Sequence, residues 1–189
     1  MVAQPKPIII SKLDAARRQL RTAITLWFAE DDPVSIHTLV GAAYEIIHAV
    51  SKQRNPGRRD LLLDSLIIKD EYRREWAISV KQPANFFKHA NKDGNDVIEF
   101  KPVASEPFIL FAILGVELCG ERHNDEEAAY MYWLYLHKPH LLTESGRKQF
   151  VDDVPADRLR ELRSIPKKDF LRVMKVARRK SELSVSARH

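Results

Sequence analysis

The chain has 189 residues, of which 44% are apolar and 30% are charged, and its net charge is +5. This size and composition are typical of a globular protein with one hydrophobic core. A single cysteine, Cys119, excludes an intrachain disulfide and any multi-cysteine zinc or iron–sulfur site. Because the N-terminal residues include no apolar run long enough for a secretory signal, and no apolar run is long enough for a membrane span, we expect a cytoplasmic protein without membrane contact.

Two helices are predicted near the start of the chain. Ser11 and Asp14 have the spacing of a capping box, and apolar residues then recur every three or four positions as far as Trp27. Asp32 and Pro33 open a second helix, since aspartate caps a helix well and proline is favoured at its first position. This helix, over residues 32–52, is apolar around most of its circumference, so we expect other helices to surround it.

The rest of the chain continues this pattern. Residues 61–80 predict one helix or two abutting helices, Pro83 a further short one, and residues 97–100 a brief extended segment. Further helix starts follow near residues 105, 124, 143, 156 and 166. The sequence predicts an all-α protein, a single compact multi-helix bundle around helix 32–52. We expect a helical core domain over residues 1–155 and a basic helical extension over 156–189 that docks on it, with the last few residues frayed.

Helix 32–52 carries a polar face within its apolar surroundings. His37 and His48 are 11 residues apart, which is three turns, so they share one face with Tyr44 between them and Glu45 at its edge. Such a face could line a pocket and supply acid–base or binding groups. The alternative is that each histidine is a structural residue that donates to a backbone carbonyl.

Metal and cofactor chemistry have little support in the sequence. Glu45 and His48 have the Glu-x-x-His spacing of di-iron helical bundles, but those sites need a second such pair, which this chain lacks. The chain also has no glycine-rich phosphate loop and no Gly-x-Ser-x-Gly motif. We therefore expect no metal and no cofactor.

A second polar segment lies at residues 85–89, with the sequence NFFKH. Asn85, Lys88 and His89 fall on or near one side of a helix, while the two phenylalanines between them can anchor in the core. These three residues are the predicted polar companions of helix 32–52. The alternative for this segment is a capped short helix with a surface histidine.

The order of helices and the Asn…Lys-His segment, over residues 11–138, resemble HEPN domains. Those domains are compact helical bundles, and several are ribonucleases of toxin–antitoxin and phage-defence systems. Catalytic members carry an arginine followed by four to six residues and then a histidine, but no arginine stands at that distance before any histidine here. The resemblance therefore implies a non-catalytic or divergent member.

The excess positive charge is concentrated at the C-terminal end of the sequence. Residues 156–189 hold 11 lysines and arginines against four acids, a local charge of +7, so the first 155 residues carry −2. Within the last predicted helix, an apolar stripe is surrounded by cations at Lys168, Arg172, Lys175 and Arg179. A basic amphipathic helix of this kind docks on its own protein, on an acidic partner or on RNA or DNA. Docking on the protein's own body is the default expectation.

Two functional hypotheses follow from these observations. The first is a non-enzymatic interaction or regulatory module whose basic C-terminal helix contacts a protein partner or nucleic acid. The alternative is a divergent HEPN-like ribonuclease that uses His89, or the His37 and His48 face, for acid–base chemistry, with Lys88 binding phosphate. The missing arginine–histidine spacing favours the first hypothesis.

Overall fold

A computed structural model describes residues 7–57, 68–89 and 94–186, and it confirms the predicted all-α bundle. Within these residues regular structure is helical, apart from one isolated antiparallel bridge between Ile68 and Leu142. None of the described helices is both long enough and apolar enough to cross a bilayer. The α-helices are α1 (Lys12–Ala29), α2 (Pro33–Arg54), α3 (Asp70–Phe86), α4 (Ser105–Leu118), α5 (Asp125–His137), α6 (Glu144–Arg147), α7 (Ala156–Ser164) and α8 (Lys167–Ser186).

Local side-chain chemistry fixes where several helices begin. Ser11 accepts from the backbone N–H of Asp14 while the Asp14 carboxylate accepts from Ser11, as the capping-box spacing predicts. The side chain of Asp32 accepts from two backbone N–H groups at the start of α2, and Pro33 follows it. Asn124 forms a second reciprocal box with Glu127 at the start of α5. These helix starts therefore follow from the sequence alone.

Helix α2 lies at the centre of the bundle, packed between α1 and α4. Its buried residues include Ile36, Val40 and Ile47, and its exposed edge carries Glu45. Helix α4 is enclosed more completely, because every residue from Pro107 to Val116 is buried. The hydrophobic core is thus centred on these two helices and the inner face of α1, and buried residues of α3, α5 and α8 extend it.

Between α2 and α4 the structure differs from the predicted elements at Pro83 and at residues 97–100, and one further predicted stretch lies outside the described residues. Helix α3 passes through Pro83 and ends at Phe86, so the proline does not open a separate helix. Val80 and Ala84 on either side of this proline are both buried, and we attribute the continuity of α3 to this packing. Residues 61–67 of the predicted leucine-rich helix lie outside the described residues, and residues 97–100 form neither helix nor strand.

Helix α8 packs against α5 and α1. Phe170 at its start is fully buried and stacks on Phe28 of α1, with ring centroids 6.0 Å apart. Lys168 lies beside Glu30 at the end of α1, whereas Arg178 donates to the backbone oxygen of His123. The backbone oxygen of the adjacent Arg122 accepts from Arg17, near the start of α1. Helices α1 and α8 therefore run antiparallel. The predicted fraying of the last residues falls on 187–189, outside the described residues.

Candidate functional site

The NFFKH segment meets the central helix through one ion pair. Nζ of Lys88 lies 2.9 Å from Oε1 of Glu45, although the two residues are far apart in sequence. Gly41 of α2 lets the segment approach, because a Cβ at this position would lie 3.1 Å from Cβ of Ala84. The structure thus brings together two of the predicted binding residues, Glu45 and Lys88.

His37 is completely buried, and both of its ring nitrogens have partners. Nε2 lies 3.0 Å from the backbone oxygen of Val80, and Nδ1 lies 3.0 Å from Oγ of Ser105. Because a carbonyl can only accept, Nε2 carries the proton and Nδ1 accepts from the serine hydroxyl. Burial lowers the pKa of His37, and the nearby Lys88 charge lowers it further, against the raising effect of the Val80 hydrogen bond. His37 is therefore a neutral core residue that joins α2, α3 and α4.

The face shared by His37 and Tyr44 is packed against aromatic rings. Phe108 of α4 lies 5.2 Å from the His37 ring and 5.1 Å from the Tyr44 ring, measured between centroids. His48, one turn beyond Tyr44, is half-buried and stacks on the tyrosine at 5.8 Å, with the two rings nearly parallel. Through these ring contacts, this face of α2 stabilises the packing against α4.

His89 is exposed and lies in a different environment. Together with Asn85, Phe86 and Asp96, it lines a shallow cavity of about 570 Å³. Neither His37 nor His48 lines this cavity. The structure thus gives the three candidate histidines three separate environments and does not combine them into one acid–base site.

The four predicted cations of the C-terminal helix lie together in one groove. Lys168, Arg172, Lys175 and Arg179 line a groove of about 400 Å³ between α1 and α8. They stand 4, 3 and 4 residues apart, so they occupy one face of α8 over about 16 Å. The other lining residues are mostly apolar: Thr25, Phe28, Ala29, Leu171 and Val176. We call this feature, with these nine residues, the basic groove.

Three of these cations pair with carboxylates of the protein itself. Arg172 lies 2.8 Å from Asp169, yet 74% of its side chain remains exposed. Lys168 lies 3.5 Å from Glu30 and is 65% exposed, and Lys175 lies 2.6 Å from Glu126. The pairs of Arg172 and Lys168 are exposed, and such pairs contribute only about 0–1 kcal/mol, so an external anion can compete for these two cations. The Lys175 pair is more enclosed, since only 12% of the Glu126 side chain is exposed.

The positive surface continues from the basic groove onto α1. Arg21 and Arg18 are exposed, and they stand four and seven residues before Thr25, on the same side of the helix. Because α1 and α8 are antiparallel, this side of α1 runs along α8 towards Arg179. Two helices therefore contribute cations to one surface.

Contacts on the inner side of α8 hold the basic groove in place. Nζ of Lys167 lies 3.6 Å from the centroid of the Trp27 ring, which is a cation–π contact. Burial lowers the pKa of Lys167, while the carboxylates of Glu30 and Glu106 act in the opposite direction. With the stacked pair Phe28 and Phe170, this contact fixes the position of α8 on α1.

A larger cavity of about 590 Å³ lies between α3, the segment before α4 and the end of α5. Its wall includes the ion pair of Glu106 with Lys138, together with Tyr72, His140 and Lys101. Its charged lining is mixed in sign, in contrast to the basic groove. Among the described residues, no three His, Cys, Asp or Glu side chains stand close enough together to hold a metal ion.

Sequence reasoning missed the apolar floor of the basic groove. The 4-3-4 spacing of the α8 cations is visible in the sequence, and so is the apolar stripe through Phe170 that anchors the helix. The contribution of Thr25, Phe28 and Ala29 is not visible, because it depends on α8 packing against α1.

Comparison of the chain with protein-family models, curated proteins and solved structures gives no match.

Proposed function

We propose that this protein is a non-enzymatic interaction module that binds an acidic macromolecular partner through the basic groove. The observation that carries this proposal is the alignment of Lys168, Arg172, Lys175 and Arg179 along one groove between two packed helices. Cations held on a rigid helix lose little freedom on binding, so they are well suited to recognise a partner with regularly spaced negative charges.

The electrostatics of the groove support an ionic mode of binding. Arg172 and Lys168 remain largely exposed even though each has an internal carboxylate beside it. A polyanion can displace these weak internal contacts and engage several cations at once, and the cations of α1 and α8 raise its rate of encounter. Binding of this kind weakens steeply as the salt concentration rises.

The ribonuclease alternative has less support. Both ring nitrogens of His37 form hydrogen bonds within the core, and the His48 ring is stacked on Tyr44. Lys88, the predicted phosphate ligand, is paired with Glu45. Of the three candidate histidines, His89 is the exposed one, and the structure places neither of the other two beside it in its cavity.

The experiment is a binding titration with fluorescent poly-glutamate, followed by anisotropy at low and at physiological salt. The test variant combines Arg172→Glu with Arg179→Glu, and the control combines Arg147→Glu with Arg160→Glu, which changes the net charge equally at exposed positions of α6 and α7. We expect the test variant to weaken binding about tenfold or more and the control to change it about twofold at most. Equal losses in the two variants, or no binding by the wild type, would overturn the proposal.

A further inference from the structure

We infer that the segment recognised by the basic groove is an acidic amphipathic helix of a protein partner. This inference rests on the proposed function and adds the chemical class of the partner. In this arrangement the apolar side chains of the partner helix sit on Ala29 and Val176, which are exposed in the groove, and its carboxylates meet the α8 cations. The apolar floor and the spacing of the cations carry the inference.

The floor of the basic groove is apolar and open to solvent. Val176 is 49% exposed, and Ala29 and Thr25 beside it are exposed as well. A purely ionic ligand would leave this apolar surface exposed to water, whereas apolar side chains that cover it stabilise the complex. An occupant therefore needs an apolar face as well as negative charge.

The spacing of the cations matches a helix better than an extended chain. The four α8 cations follow one another at 4, 3 and 4 residues, a rise of about 4.5–6 Å each. A helix lying along the groove presents carboxylates at the same intervals if its acids follow the same 4-3-4 pattern. A strand presents its side chains on one face about every 6.7 Å, so over this length its carboxylates do not align with the cations.

Nucleic acid fits the groove less well than a helix does. Proteins that bind single strands combine cations with exposed aromatic rings on which bases stack. Phe28 is the one aromatic residue among those that line the basic groove, and it is buried beneath the surface. The described lining therefore offers charge to the phosphates but no ring surface to the bases.

The test uses three fluorescent probes with the full chain. The first is a peptide of about 18 residues, five helical turns, with leucines on one face and glutamates elsewhere. The second is its scrambled form, with the same composition and charge but no apolar face. The third is single-stranded oligouridine RNA. We expect the patterned peptide to bind at least about tenfold more tightly than the scrambled one and to gain helical circular dichroism on binding.

Two matched variants place this preference in the groove. Val176→Asp should reduce the preference for the patterned peptide to about twofold or less, because it puts a charge on the apolar floor. Val34→Asp is the control, since Val34 is 42% exposed on α2 and lies outside the groove. It should leave the preference unchanged.

The other outcomes separate this inference from the proposed function. If both peptides bind equally and Arg172→Glu with Arg179→Glu weakens both, ionic binding stands and the helical partner is overturned. Tighter binding of the RNA than of the patterned peptide would overturn the inference in favour of nucleic acid. Self-association of the free protein that Val176→Asp abolishes would also overturn it, since a second copy would then cover the groove. If no probe binds, both proposals fail.

Discussion

Nζ of Lys88 lies 2.9 Å from Oε1 of Glu45, so a lysine just beyond the end of α3 forms an ion pair with the exposed edge of the central helix α2. We expect Lys88→Glu and Glu45→Lys each to lower the free energy of unfolding by about 0.5–1 kcal/mol, as for other partly exposed pairs. The double exchange restores the opposite charges and should recover most of that loss. Urea unfolding of the four proteins measures this, and a double variant as unstable as the two losses added together would contradict the pairing.

A second ion pair, between Arg17 and Glu127, should matter more for stability. Glu127 is fully buried and accepts from both Nε and Nη2 of Arg17, at 3.3 and 3.1 Å. Glu127→Gln leaves the arginine without its buried counter-charge, so we expect a loss of about 3 kcal/mol in the free energy of unfolding.

The control for this pair uses the same arginine. Glu121 also lies near Arg17, at 3.5 Å, but it is partly exposed. Glu121→Gln should cost less than about 1 kcal/mol by urea unfolding. Similar losses in the two variants would show that the burial of Glu127 does not set the strength of its pair.

The buried His37 predicts a dependence of stability on pH. Its pKa in the folded protein is lowered, chiefly by burial, so the unfolded chain takes up a proton at a higher pH than the folded chain does. The stability that His37 contributes is therefore complete above about pH 6.5 and is lost as pH falls from there through the lower folded pKa.

A variant isolates this effect from other titrating groups. His37→Gln keeps a donor near the Val80 carbonyl but does not titrate, so its free energy of unfolding should fall less between pH 7.5 and 5 than that of the wild type. His137, whose pKa is also lowered by burial, titrates in both proteins and cancels in the comparison. Equal pH slopes would contradict the buried, neutral state of His37.

Gly41 provides the close approach of α2 to α3. An added Cβ would meet Cβ of Ala84 at 3.1 Å and Cε1 of Phe108 at 3.5 Å. We expect Gly41→Leu to cost about 2 kcal/mol through overpacking, while Ala49→Leu, at an exposed position of the same helix, should be nearly neutral. Thermal unfolding compares the two, and an equally stable Gly41→Leu protein would show that this contact is not tight.

The parts of the fold that depend on neighbouring residues could be predicted from the sequence. The caps at Ser11, Asp32 and Asn124 involve partners two or three residues away, so a short stretch of sequence contains all the necessary information. The prediction that Pro83 opens a separate helix was wrong, since α3 continues through this proline as far as Phe86. We attribute this to the burial of Val80 and Ala84, which the local preference of proline does not reveal.

The candidate site depends more on contacts between distant residues. The row of α8 cations is visible in the sequence because helical spacing alone puts them on one face. The apolar floor is not visible, since Phe28 and Leu171 become neighbours only when α8 packs on α1. For the same reason the ring partners of His37, such as Phe108, could not be read from a periodic pattern.

The position of a bound polyanion tests the central proposal most directly. In a titration with poly-glutamate followed by two-dimensional ¹H–¹⁵N NMR, we expect the largest shifts of backbone amides at Thr25, at Ala29 and along residues 168–179. The amide signals of residues 85–89, which include the exposed His89, should remain nearly unchanged. Shifts centred on residues 85–89, with residues 168–179 unaffected, would contradict binding through the basic groove.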